Sequence, residues 1–193
     1  VMAMVKAFSY GVSSVEIAKL LEFHRVDYLG VAYTDEGITL RKAGIETPIM
    51  VLNPEERSFG AIIKYRLEPE IYSFELLESF SLAVEKNAHV GPYPVHIDID
   101  TGMKRLGFEP EQITELIAKL KSSESIEVKS IFSHLAASDE AALDEFTEEQ
   151  IALFKQLSQD IMDGLDIDVI RHIANSSGII RFPNAQMDMV RLG

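Results

Sequence analysis

The sequence predicts an α/β protein built as a (β/α)8 TIM-type barrel of eight parallel strands. Three observations lead there. Eight apolar, strand-like runs recur along the 193 residues. Patterns of helical period separate them, as the crossovers of a parallel sheet require. Polar and charged residues gather at the carboxyl ends of the runs, the rim where such barrels carry chemistry. A count of eight favours a closed barrel over an open doubly wound sheet.

The first run is Val1–Val5. Ser13 or Ser14 then caps a helix with Ile17, Leu20, Leu21 and His24 on one face. Tyr28–Tyr33 is the second run, followed by a short helix opened by Thr34 and closed by Gly44. Pro48–Leu52 is the third, and Asn53-Pro54 after it reads as a helix cap with proline at the first helical position. Glu68–Ser73 is a weaker fourth run, before a helix through Leu76, Leu77, Phe80 and Val84. Val95–Asp100 is the fifth, with a helix carrying Ile113, Leu116, Ile117 and Leu120 behind it. Val128–Leu135 is the sixth, and Thr147 with Gln150 forms a capping box for the next helix. Val169–Ala174 and Met187–Val190 are the seventh and eighth. Only about seven helix slots separate these strands, so one flanking helix is expected to be lacking. Val1 already lies in a strand-like segment and Gly193 just follows one. Residues 1–193 therefore read as one barrel domain truncated at both ends.

Composition narrows the classes. A hydrophobic content of 47% supports a substantial core and argues against disorder. A net charge of −13 argues against nucleic acid and anionic membranes as partners, and is most simply a matter of solubility. With no cysteine there is no disulfide and no thiolate chemistry, which fits a reducing, cytoplasmic setting. No apolar run is long enough to cross a bilayer, and no signal-peptide pattern is present.

The candidate site collects at the strand ends. Lys6 ends the first run, Asp98 and Asp100 end the fifth with Arg105 just beyond, and His134 ends the sixth. His172, Asn175 and Ser176 close the seventh, and Arg191 the eighth. Each has a plain structural reading. A strand-end lysine is usually a surface charge, a lone histidine a satisfied core group, and Asp100-Thr101-Gly102 a turn. Asn175-Ser176 can simply cap a helix, and Arg191 can simply pair with Asp188. His96 and Tyr93 carry no assigned role. The joint placement supports more. A desolvated amine is a nucleophile that forms a Schiff base with an aldehyde. Amides near Ser176 can bind phosphate, and Gly193 lets backbone approach it. A lysine, a phosphate cup and a cation on one rim suit pyridoxal phosphate.

The motifs resemble those of the alanine racemases, fold-type III pyridoxal-phosphate enzymes. Val5-Lys6-Ala7-Phe8-Ser9-Tyr10-Gly11 is similar to their lysine motif. Val31-Ala32 through Glu36, Leu40–Ile45 and Pro48-Ile49 resemble the segment that follows. Asp100–Phe108 is the most specific match, and Ser133–Ala136, His172–Ser176 and Met189–Gly193 complete the family order. The resemblance implies a pyridoxal 5'-phosphate enzyme that interconverts L- and D-alanine by moving the α-proton, supplying D-alanine for peptidoglycan. It implies that Lys6 holds the cofactor and serves as one of two bases. Tyr10 and Ser176 contact the phosphate with backbone help near Gly193, and Asn175 lines that end. His134 packs against the pyridine ring. Arg191 faces the pyridine nitrogen supported by His172, and as a fixed cation disfavours its protonation. Arg105 lies near the ring hydroxyl and the substrate carboxylate.

Asp98 stands where many members carry a carbamylated lysine, and its negative charge is expected to orient Arg105. Leu192 replaces a common proline or aromatic, and Val12-Ser13 a more usual His-Gly. The second base in the family is a tyrosine from a C-terminal β domain of the partner subunit in a homodimer. The 193 residues alone are therefore expected to show little or no racemase activity. The alternatives are a serine or broad-specificity racemase, a non-catalytic pyridoxal-phosphate carrier, and a barrel that binds a phosphorylated metabolite. A decarboxylase is disfavoured because Arg191 stands where such enzymes place a carboxylate.

Overall fold

Eight short strands, β1 (Met2–Met4), β2 (Tyr28–Val31), β3 (Ile49–Val51), β4 (Glu68–Ile71), β5 (Tyr93–Asp98), β6 (Ile126–Phe132), β7 (Ile170–His172) and β8 (Arg191–Leu192), define the computed structural model. It describes residues 1–11, 13–87 and 90–193, apart from the side chains of Phe8 and Tyr10. Every ladder is parallel, in the order β7-β6-β5-β4-β3-β2-β1-β8. The seam between β7 and β8 is bridged by Asp188 N donating to Arg171 O at 3.2 Å and Arg191 N donating to Ala174 O at 3.0 Å. The ring is thereby closed, as the strand count predicts.

Alternation along the strands sorts the core into two layers. Ala3, Leu29, Ile49, Val51, Ile97 and Ile131 pack outward against the helices. Met2, Tyr28, Met50, Phe132 and Met189 form a separate cluster that fills the barrel. Gly30 faces that interior, and a Cβ there would lie 2.6 Å from Met4 Sδ, so the methionine takes the space a larger side chain would need. The helices are α1 (Lys6–Gly11), α2 (Ser14–Phe23), α3 (Thr34–Lys42), α4 (Phe59–Lys64), α5 (Phe74–Lys86), α6 (Ile113–Ser122), α7 (Asp144–Leu165) and α8 (Ser176–Arg181). Each of the seven connections carries at least one of them. No helix among the described residues is long and apolar enough to cross a membrane.

Several local expectations need correction. The eighth strand is Arg191–Leu192, not Met187–Val190. Met187 takes a φ of +45°, which no strand accommodates, and the ladder to β1 begins only at Arg191 opposite Met2. Lys6 does not end a strand: β1 stops at Met4, and Lys6 opens α1. Thr147 and Gln150 form no capping box, because α7 already begins at Asp144. Asn53-Pro54 does not start a helix directly; a 3-10 turn at Glu56–Ser58 leads into α4. Ser13 does cap α2, and Gly44 follows α3 with a φ of +89°.

Candidate active site

A cavity of about 350 Å³ opens at the carboxyl end of the barrel. Its lining includes Lys6, Asp98, Arg105, His134, Asn175, Ser176, Arg191 and Gly193, so residues from five parts of the chain meet there. His172 lies directly behind Arg191 and is fully buried. The side chain of Tyr10 lies outside the described residues.

Arg191 is the hub. It enters on the short last strand and is 5% exposed. One terminal nitrogen donates to His172 Nδ1 at 2.7 Å and to His172 O at 3.3 Å. The other donates to Ser133 O at 2.6 Å, Ile173 O at 3.2 Å and His134 Nδ1 at 3.3 Å. The guanidinium also lies over the Phe132 ring, 5.4 Å from its centroid. Burial lowers Arg191 to about 10, opposed by the carboxyls of Asp98 and Glu70, so it remains a cation at neutral pH. The suggested pairing with Asp188 does not form. Asp188 instead accepts from Arg171 N at 2.8 Å and faces Arg171 Nε at 3.5 Å.

Both histidines beside Arg191 are neutral. Burial, then the Arg191 charge, brings His134 down to about 4 and His172 well below its ordinary range. Because Arg191 can only donate, His172 Nδ1 must accept, and the proton sits on Nε2. That nitrogen meets Ser130 Oγ at 3.0 Å, Ser130 meets His96 Nδ1 at 2.7 Å, and His96 Nε2 meets Glu68 Oε2 at 3.0 Å. A single donor-to-acceptor order satisfies this chain, which runs down the barrel interior. His96, given no role from sequence, is one of its links.

The loop after β5 is built by its own backbone. Asp100 Oδ1 accepts from Gly102 N at 2.8 Å and Lys104 N at 3.1 Å, the turn foreseen for Asp100-Thr101-Gly102. The loop returns where Asp100 N donates to Phe108 O at 3.0 Å. Gly107, with a φ of +109°, packs so closely there that a Cβ would lie 2.5 Å from Asp100 N. The loop carries Arg105 to the cavity edge, and this cation faces Asp98 through space.

Asn175 caps α8, accepting from Gly178 N at 2.9 Å and Ser138 Oγ at 2.8 Å. Its amide nitrogen donates to Leu135 O at 3.2 Å, so its polar atoms serve the loop although it lines the cavity. Ser176 Oγ and Gly193 share contacts of 3.0 Å at the neighbouring wall. Lys6, half-buried, has no hydrogen-bond or ion-pair partner among the described residues, and its charge bears on His134.

The chain matches the family described as alanine racemase, N-terminal domain, over residues 1–193. It belongs to that family. Alanine racemases of Methanococcus maripaludis and Thermodesulfovibrio yellowstonii are 38% and 35% identical to it, each over all of this chain and 52% and 50% of their own length. A solved alanine racemase structure from Clostridium difficile 630 superposes with a TM-score of 0.91 at 37% identity, over the whole chain and 50% of that structure. The chain thus spans about half the length of the curated relatives it matches.

Three residues have site roles that the sequence reading does not give them. Glu36 accepts from Ala7 N and Ala32 N at 2.7 Å and from Tyr33 N at 3.1 Å, pinning the backbone beside Lys6. Ala7 and Ser9 hold positive φ of 50° and 48° there, a conformation that costs energy for residues with a Cβ. Gln150 ties two loops together: it accepts from Ala136 N at 3.0 Å and donates to His134 O at 3.2 Å and Thr101 Oγ1 at 3.3 Å. Glu70 is 3% exposed and lines the cavity. A charged residue in an apolar strand was the available signal for Glu70. In the sequence, Glu36 reads only as part of a family-like segment, and Gln150 only as half of a capping box.

Proposed function

We propose that this barrel is the pyridoxal-phosphate half of an amino-acid racemase that interconverts L- and D-alanine. The observation that carries the reading is the meeting of Lys6, Arg191 with His134, and the Ser176–Gly193 pair on one cavity. The residues fit the group. Lys6 is a primary amine without a partner among the described residues, the His134 ring offers a flat surface, and Ser176 Oγ and Gly193 N, which bond one another at 3.0 Å, are the polar groups an anion there would engage. When bound, pyridoxal phosphate supplies the electron sink that makes the α-proton acidic.

The chain's own residues do the rest. Lys6 Nζ holds the cofactor and then carries the proton on one face of the α-carbon. Arg191, a lasting cation held by neutral acceptors, keeps its protons and would present only donors to a cofactor bound in the cavity. His134 and His172, held neutral, add no competing positive charge. Arg105 at the rim offers a guanidinium to the substrate carboxylate.

The second base is a tyrosine of a further β domain, supplied by the partner subunit of a homodimer. On that reading the 193 residues alone turn over little alanine. The product is D-alanine for the cell wall, made in the cytoplasm.

The test is spectroscopic. Pyridoxal phosphate added to the protein is expected to produce a visible band that borohydride removes, leaving a covalent adduct on Lys6 by peptide mass spectrometry. Lys6→Ala is expected to lose both. An adduct that persists in Lys6→Ala refutes the assignment.

A further inference from the structure

Arg191 poses an electrostatic problem that its hydrogen bonds do not solve. A buried cation needs a counter-charge. Yet its partners are His172 Nδ1, His134 Nδ1 and the carbonyls of His172, Ser133 and Ile173, all of them neutral.

Two acids on the facing wall can supply the charge. Glu70 on β4 pairs in register with His96 on β5, and Asp98 lies two residues beyond His96 on the same inward row. Glu70 is 3% exposed and Asp98 8% exposed, and both line the cavity with Arg191 and Arg105. As buried neighbours on paired strands lining one cavity, the two carboxyls act directly on one another's ionisation. Two bare carboxylates neighbouring in a dry interior would repel strongly. A retained proton relieves this and supplies the donor that ionised carboxylates, which only accept, lack.

We propose that Glu70 and Asp98 form a one-proton carboxyl pair whose single negative charge is the counter-charge of Arg191 and, across the cavity, of Arg105. Glu70 is thereby a positioning residue of the site. The other groups facing the pair fit this charge state. Arg191 and Arg105 favour ionisation, Asp100 opposes it at Asp98, and Tyr72 next to Glu70 is itself raised by burial and then by Glu70. Lys6 and the neutral His134 line the same cavity. Burial is the largest influence on both acids and raises both, so the pair retains a proton that either carboxyl can carry.

One consequence separates a shared proton from two independent acids. Glu70→Gln and Asp98→Asn each leave one acid free to ionise, with an amide to donate to it, so each keeps one negative charge. The double variant keeps none and strands Arg191. Infrared spectra of the protein near neutral pH are expected to show a neutral carboxyl band that disappears in either single variant. Urea unfolding midpoints of the single variants are expected to lie near that of the unaltered protein. The midpoint of the double variant is expected to fall far below the sum of the two single shifts.

Absence of a neutral carboxyl band in the unaltered protein, a band unchanged in Glu70→Gln, or strictly additive midpoints would each overturn the proposal. If the double variant does not fold, the infrared result decides alone. Neither readout needs cofactor or turnover, so failure of the racemase reading leaves this test intact, and failure here leaves the Lys6 adduct test intact.

Discussion

The barrel interior handles buried polarity in two ways, and the contrast is instructive. Down its axis, His172, Ser130, His96 and Glu68 form a chain in which each donor meets one acceptor, with both Arg191-flanking histidines held neutral. At its mouth, Glu70 and Asp98 line the cavity with two guanidiniums, and on the proposed assignment they share one proton. The first arrangement orients by hydrogen-bond geometry. The second balances charge. Arg191 belongs to both, donating to the chain through His172 and facing the acids across the cavity.

Removing that shared member breaks the comparison most severely. Arg191→Met is expected to destabilise the fold by about 3–5 kcal/mol, the usual cost of breaking a buried charge arrangement. It leaves His172 Nδ1 and the Ser133 carbonyl without their donor. Urea unfolding reads the loss, and a change of less than about 1 kcal/mol would show that the hub carries little of the local structure.

Cutting only the axial chain has a smaller effect. Ser130→Ala is expected to cost about 1–3 kcal/mol, because His96 Nδ1 and His172 Nε2 lose their common partner in a fully buried position. If the chain serves to orient Arg191, the same variant also weakens cofactor binding, seen as a lower yield of borohydride-trapped adduct at limiting pyridoxal phosphate. An unchanged yield with reduced stability would confine Ser130 to a structural role.

The smallest effect is one of pH and separates the two regions by sign. His134 falls from 6.5 to about 4 on folding, so the unfolded chain binds more protons between those values and stability drops as pH falls through them. Asp98 rises from 3.8 to about 7, so the folded chain binds more protons there and stability drops as pH rises through that window. The slopes oppose each other across mildly acid pH. Asp98→Asn removes the group whose slope opposes that of His134. The variant's unfolding midpoint is expected to decline more steeply on acidification than that of the unaltered protein, by at most about 1.4 kcal/mol per pH unit. Parallel pH profiles would argue that the pair does not titrate as described.

Much of the barrel was legible in the residue order. Apolar runs buried on both faces announce parallel strands, and Lys6, Arg105, His134 and Arg191 were placed on one rim from their positions at or just past the run ends. The eighth strand was misplaced because Met187-Asp188-Met189-Val190 is apolar enough for a strand, while its pairing depends on where β1 offers a free edge. Gln150 was misread because Thr147 and Gln150 have capping-box spacing, and only the earlier start of α7 puts both inside the helix. Asn175 shows the opposite case. The plain expectation of a helix cap describes its polar atoms fully, even though it lines the cavity.

The linear sequence determined the strand rhythm and the motifs, because both depend on residues within a few positions of one another. Ring closure decided which polar groups meet. Arg191 reaches Ser133 across 58 positions and Gln150 reaches Thr101 across 49. Glu70 finds Asp98 only because β4 and β5 pair in one register. A hydrogen bond of that span is fixed by strand stagger and side-chain direction, and no local pattern encodes either.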